Sequence, residues 1–92
     1  MTRIELVRRL SGTSQRNLAR IVGVHSSVIS QIERQVRRPW ASLRSKLAEA
    51  LGCAEETLFG SDGWPLGVGN DFTWLDNQDG RNVRLERRSR NA

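Results

Sequence analysis

Apolar residues recur every three or four positions along the first sixty residues, and short runs of glycine, proline and small polar residues separate the recurrences. In residues 15–34, QRNLARIVGVHSSVISQIER, Leu18, Ala19 and Val22 share one helix face, and Val28, Ile29 and Ile32 share the next. Gly23 falls where the first of these helices must stop, a position that favours a left-handed backbone. Ala19 lies four residues before it and offers a small side chain where two helices cross closely. With Ser14 as N-cap, the pattern predicts one helix over 15–22 and another from His25 or Ser26 to Arg34. The surface left on the second helix is His25, Ser26, Ser27, Ser30, Gln31 and Arg34. All are short or hydrogen-bonding groups, suited to meeting something polar.

The flanking pattern supplies the rest of a helical domain. Thr2 and Glu5 form a capping box for a first helix over 3–10, with Ile4, Val7 and Leu10 as its buried stripe. Ser11 and Gly12 end it. Residues 35–39 form a basic loop. Pro39 then opens a fourth helix to Leu51, with Leu43, Leu47 and Leu51 inward and Gly52 as its stop. A fifth helix over 55–59 has Glu55 and Glu56 in its first turn, favourable for the helix dipole, and Leu58 and Phe59 close the core. Residues 61–71 form a turn-rich connector. Beyond it the period changes to two, with Phe72 and Trp74 alternating before Asp79-Gly80, and Val83 and Leu85 after it. That turn dipeptide makes residues 72–87 compatible with a β-hairpin. Residues 88–92 are a basic tail.

Charge sharpens this division. Residues 1–50 carry a balance of +7, residues 51–79 a balance of −6 and residues 80–92 a balance of +4, within a net +5. A basic half beside an acidic half orients a molecule toward a polyanion. The single cysteine, Cys53, excludes an intrachain disulfide and reads as a small core residue. No apolar run approaches the roughly 20 residues that span a bilayer, and Glu5, Arg8 and Arg9 interrupt any signal-peptide pattern. These features predict a soluble, cytoplasmic chain. His25 is the only histidine, so no histidine-based metal cluster is indicated. No catalytic set, metal site or cofactor site stands out, and an enzyme is not expected. Trp40 is expected to shield the start of the fourth helix, with Trp64 and Trp74 as packing residues.

Gln15, Ala19, Gly23, Ile29, Ile32 and Glu33 match, in type and spacing, the helix-turn-helix of the phage repressor and Cro class. The resemblance runs from about residue 3 to residue 59. It implies an all-α fold: a five-helix repressor-like helix-turn-helix domain over residues 1–60. It also implies an ion pair between Arg8 and Glu33, tying the first helix to the end of the third. The base-reading positions of the family fall on Ser26, Ser27 and Gln31, with His25 and Ser30 near the DNA backbone. Gln15 takes the family's phosphate-and-brace position, with Ser14 and Arg16 as neighbours. Glutamine can bond adenine through two hydrogen bonds, whereas serine has little preference among bases, so Gln31 is the most specific reader. Arg34, Arg37 and Arg38 are assigned to phosphates, though an arginine can also select guanine. Where the family usually has glycine after the third helix this chain has Gln35, which implies backbone strain or a different turn.

The function implied is a sequence-specific regulator of double-stranded DNA, acting as a homodimeric repressor of phage or plasmid type, with its recognition helix in the major groove. The excess apolar residues Phe59, Phe72 and Trp74 point to helix five and the hairpin as the dimer surface. Two alternatives use the same fold. One is an antitoxin-type protein that clasps a protein partner through residues after Gly60 and regulates its own transcription. The other is a controller protein of a restriction-modification system.

Overall fold

The computed structural model describes residues 1–76. These form six helices: α1 (Arg3–Leu10), α2 (Gln15–Val22), α3 (Ser26–Glu33), α4 (Ala41–Leu51), α5 (Glu55–Leu58) and α6 (Thr73–Asp76). The local signals at the ends of α1 and α2 act as their chemistry dictates. Thr2 Oγ1 accepts from the Glu5 amide at 3.3 Å, and Ser14 Oγ accepts from the Asn17 amide at 3.0 Å. The Glu5 carboxylate itself pairs with Arg9 at 2.7 Å. Gly23 adopts φ 80°, and the amides of Gly23 and Val24 both return to the Ala19 carbonyl, closing α2 and redirecting the chain into α3.

α2 packs on both α3 and α4, α4 packs on α5, and α1 reaches α5. Ile4, Leu18, Ile29, Ile32, Leu43, Leu47 and Leu58 are fully enclosed at the centre, with Val7, Ala19, Val22, Leu51, Cys53 and Phe59 around them. Val28 packs against this core from its edge. Leu10 does not join the stripe: it is 45% exposed, and Arg8 is buried instead. The inward face of α1 follows the period from Ile4 through Val7 and Arg8 to Ser11, whose hydroxyl donates to the Arg8 carbonyl at 2.8 Å. This rotates Leu10 to the rim.

α4 begins at Ala41, with Trp40 as its N-cap, and not at Pro39. The Pro39 carbonyl accepts from Arg44 Nη1 at 2.8 Å, so a side chain takes the acceptor that a first helical turn would have used. Trp40 remains half exposed at this corner.

The buried charge of Arg8 is met by Glu33. Arg8 Nε donates to Glu33 Oε2 at 2.6 Å and Arg8 Nη2 to Glu33 Oε1 at 3.1 Å, with only 9% and 2% of the two side chains exposed. Arg8 Nη1 also donates to the Thr13 carbonyl at 2.8 Å, and Gln15 Nε2 donates to Glu33 Oε1 at 2.9 Å. The Arg8–Glu33 pair therefore joins α1, the loop before α2, the first residue of α2 and the last residue of α3.

After Gly60 the chain lies back over its own helices as a strap. The Leu66 amide donates to the Leu58 carbonyl, the Arg3 amide to the Leu66 carbonyl and the Val68 amide to the Met1 carbonyl, at 2.9, 2.9 and 3.0 Å. Residues 61–68 are thus part of the domain and not a spacer beside it. Gly63, at φ 86°, sits where a Cβ would come within 2.7 Å of Arg44 Nη1. Phe59 is 2% exposed and forms an antiparallel bridge with Pro65, so it is covered within the chain and does not serve a dimer surface.

The hairpin expected over 72–87 is not what its first arm forms. The Asp71 carboxylate accepts from the Thr73 amide at 3.0 Å and starts the helical turn α6. An Asx cap competes with an extended backbone in this way. The helical turn puts Trp74 and Leu75 together against the core edge, and Arg3 lies 4.8 Å over the Trp74 ring. Phe72 stays 48% exposed. The second arm, with Val83 and Leu85, and the tail 88–92 lie outside the described residues.

Gln35 has φ 63°, the one positive value at a non-glycine among the described residues. The Gln35 amide donates to Ile32 O and the Val36 amide to Gln31 O, both at 3.0 Å, and the Gln35 side chain donates to the Pro65 carbonyl at 2.9 Å. The turn is the left-handed one a glycine would make, held by a bond a glycine could not make.

Two stability tests follow from these contacts. Glu33→Gln is expected to cost about 3 kcal/mol, because it strands a buried guanidinium without its counter-charge. Arg8→Met combined with Glu33→Leu should be the milder change, and urea unfolding of the three chains ranks them. Gln35→Ala keeps the left-handed backbone and loses the Pro65 bond, a loss of about 1 kcal/mol. Gln35→Gly loses the same bond but relieves about 1 kcal/mol of backbone strain, and should melt close to the parent. Identical melting of the alanine and glycine variants would show that this turn carries no strain.

Candidate nucleic-acid interface

α3 divides cleanly by side. Ile29, Ile32 and Glu33 face the interior, while Ser27 is exposed and Ser26, Ser30 and Gln31 are half-buried along the outer side. The inner residues follow from the helical period, and the outer ones are what that period leaves to solvent.

His25 caps the start of α3. Its Nδ1 accepts from the Ser27 amide at 3.3 Å and lies 3.1 Å from Ser27 Oγ. Nδ1 is thus engaged within the corner, and the imidazole itself is exposed. Ser26 follows directly. A shallow groove between α2 and this corner is lined by Arg16, Ala19, Arg20, Val24, His25 and Ser26. Two guanidiniums, an imidazole and a helix start therefore share one recess, and that combination suits an anion. Arg20 was left outside the site read from the sequence. Its signal was the i,i+4 spacing from Arg16, which stacks both on one side of α2.

The start of α2 is the second such place. Ser14 is exposed, Arg16 is exposed, and the amides of Gln15 and Arg16 precede the first helical bond, from the Leu18 amide to the Ser14 carbonyl. Gln15 is half-buried. One of its amide hydrogens goes to Glu33, which makes it a brace and leaves it one further N–H to offer.

The arginines after α3 separate by partner. Arg34 is exposed at the C-cap of α3. Arg37 Nε donates to Gln31 Oε1 at 2.6 Å. Arg38 Nη1 donates to the Asp62 carbonyl at 3.2 Å, which ties it to the strap. The structure therefore brings together His25 with Ser27, Gln31 with Arg37, and Gln15 with Arg8 and Glu33. It directs Arg38 toward residues far along the chain.

The electrostatics follow the same surface. Between residues 14 and 40 there are five arginines and one acid, Glu33, which is buried against Arg8. The other described acids lie on α1, α4, α5, α6 and the segment after Gly60. The outer side of α2 and α3 is thus a field of donors with no exposed carboxylate among them. Among the described residues no group of three or more His, Cys, Asp or Glu could hold a metal ion. Cys53 is buried, with its thiol directed to the Leu51 carbonyl at 3.7 Å. No described helix is long and apolar enough to cross a membrane.

A helix-turn-helix family model matches residues 4–58, which is α1 through α5. No match was found among curated proteins or among solved structures. The matched segment holds the two-helix unit, the buried tie behind it and the basic outer surface in front. The chain belongs to the Cro/C1-type helix-turn-helix family of DNA-binding transcription regulators.

Proposed function

We propose that the protein is a sequence-specific repressor that binds duplex DNA as a homodimer, with α3 in the major groove of each half-site. The observation that carries this reading is the division of α3. Its inner side is fixed by Ile29, Ile32 and the Glu33 tie, and its outer side is a strip of serine, glutamine and arginine without an acid. Ser26, Ser27 and Gln31 are the base-facing residues of this reading. Ser14, Gln15, Arg16, His25, Ser30, Arg34 and Arg38 meet the phosphate backbone. The grip begins with the first-turn amides of α2 and the recess between Arg16, Arg20 and His25. Such a regulator acts in the cytoplasm, on bacterial or phage DNA.

Short serine side chains allow the helix axis to approach the base edges closely. They discriminate weakly on their own, so part of the sequence preference is carried by DNA shape and bridging water. Dimerisation doubles the contacts and makes the operator palindromic. Of the apolar residues read as the dimer surface, Phe72, 48% exposed, is open to that contact, since Phe59 is already covered.

Arg16→Ala is expected to weaken binding to all duplexes alike and to reduce the slope of log K against log salt by about one. Titrations at several salt concentrations measure this, and an unchanged slope would remove Arg16 from the phosphate contacts. Sedimentation equilibrium should give twice the chain mass, and binding-site selection should give half-sites with centres about 10 base pairs apart. A monomer at high concentration would overturn the dimer.

A further inference from the structure

Arg37 and Gln31 are joined in a way that changes what Gln31 can read. We propose that the two act as one donor unit that selects guanine over adenine, with Arg37 as the specificity-determining residue. This rests on the reading of α3 as the base-facing helix.

A glutamine recognises adenine by accepting from N6 through its amide oxygen while donating to N7 through its amide nitrogen. Here Oε1 of Gln31 already accepts from Arg37 Nε at 2.6 Å, a short, charge-assisted bond. A cation now stands beside the one acceptor that adenine recognition requires. What the pair offers outward is the Nε2 hydrogens of Gln31 and the remaining N–H groups of the guanidinium. Guanine presents two acceptors in the major groove, N7 and O6, and that pattern matches a donor pair.

Arg37 is not on a free loop. The left-handed turn at Gln35 returns the chain along the end of α3, through the Val36 amide to Gln31 carbonyl bond. On one side of Arg37 the Gln35 side chain is fixed to the Pro65 carbonyl, and on the other Arg38 is fixed to the Asp62 carbonyl, with Pro39 buried behind it. The strap therefore holds the segment that delivers Arg37, and a side chain held in place loses less freedom when it binds.

The test is binding-site selection from a randomised duplex library using the full chain and three variants. In the parent, the base pair whose preference disappears in Gln31→Ala is expected to be guanine. Arg37→Ala frees Oε1, so the same position should move toward adenine, changing the guanine-to-adenine ratio by about tenfold while other positions keep their preference. Arg37→Lys keeps the charge without the planar fork, so the guanine preference should weaken with no change in salt slope. Arg37 is exposed, and circular dichroism of each variant confirms that the fold is retained. Adenine at that position in the parent would overturn the proposal. So would an Arg37→Ala chain that binds every sequence more weakly with its consensus unchanged, which is the signature of a phosphate grip. If the parent enriches no sequence at all, base reading by α3 fails and this inference fails with it.

Discussion

The buried carboxylate of Glu33 is the constraint on which the rest of the domain depends. A charge at 2% side-chain exposure is tolerated only when its lone pairs are filled, and here three donors from two other elements fill them. Because those donors come from α1 and from the first residue of α2, satisfying Glu33 fixes where α2 starts relative to where α3 ends. Apolar contact among Leu18, Ile29 and Ile32 is non-directional and demands no particular bond angle between the helices. A forked guanidinium against a carboxylate is less forgiving of angle. Packing supplies most of the stability, and the charged node supplies the register between the two helices.

A second set of contacts does for the end of α3 what Glu33 does for its inner side. The strap after Gly60 places the carbonyls of Asp62 and Pro65 where Arg38 and Gln35 reach them. Backbone carbonyls on a strap that is itself bonded to Met1, Arg3 and Leu58 make fixed acceptors. The loop between α3 and α4 thus inherits rigidity from residues some thirty positions later in the chain. This gives a physical reason for Gln35 where a glycine would be unstrained: the side chain exchanges backbone comfort for an anchor.

What could be read from the sequence was what depends on neighbours in the chain. Ser14, Gly23 and Gly52 mark helix ends through bonds that close within a few residues, so composition and period were enough to place them. The division of α3 followed from its period alone, and the Arg8–Glu33 tie from family resemblance. Leu10, Pro39 and the first arm of the hairpin were misplaced for a common reason. Each was decided by a competing acceptor or donor that period counting does not see: Arg8 turned inward for Glu33, the Pro39 carbonyl was taken by Arg44, and Asp71 capped a helical turn where alternation suggested a strand. Arg37 and Arg38 looked equivalent in the sequence, being adjacent exposed arginines in one loop. Their partners lie 6 and 24 residues away, and nothing local distinguishes them.

That difference bears on how a serine-rich helix can be specific at all. Hydroxyls rotate, both donate and accept, and so adapt to several bases, which in the proposed reading spreads discrimination thinly along Ser26 and Ser27. A residue that discriminates must present a fixed pattern, and a lone glutamine does so only when its amide is held one way round. The Arg37 contact holds it. The orientation of one amide on α3 therefore depends on the loop, the loop depends on the strap, and the strap depends on the first residues of the chain. In the reading proposed for this protein, residues that never approach DNA would set the base that Gln31 prefers, by deciding which of its two polar atoms is free.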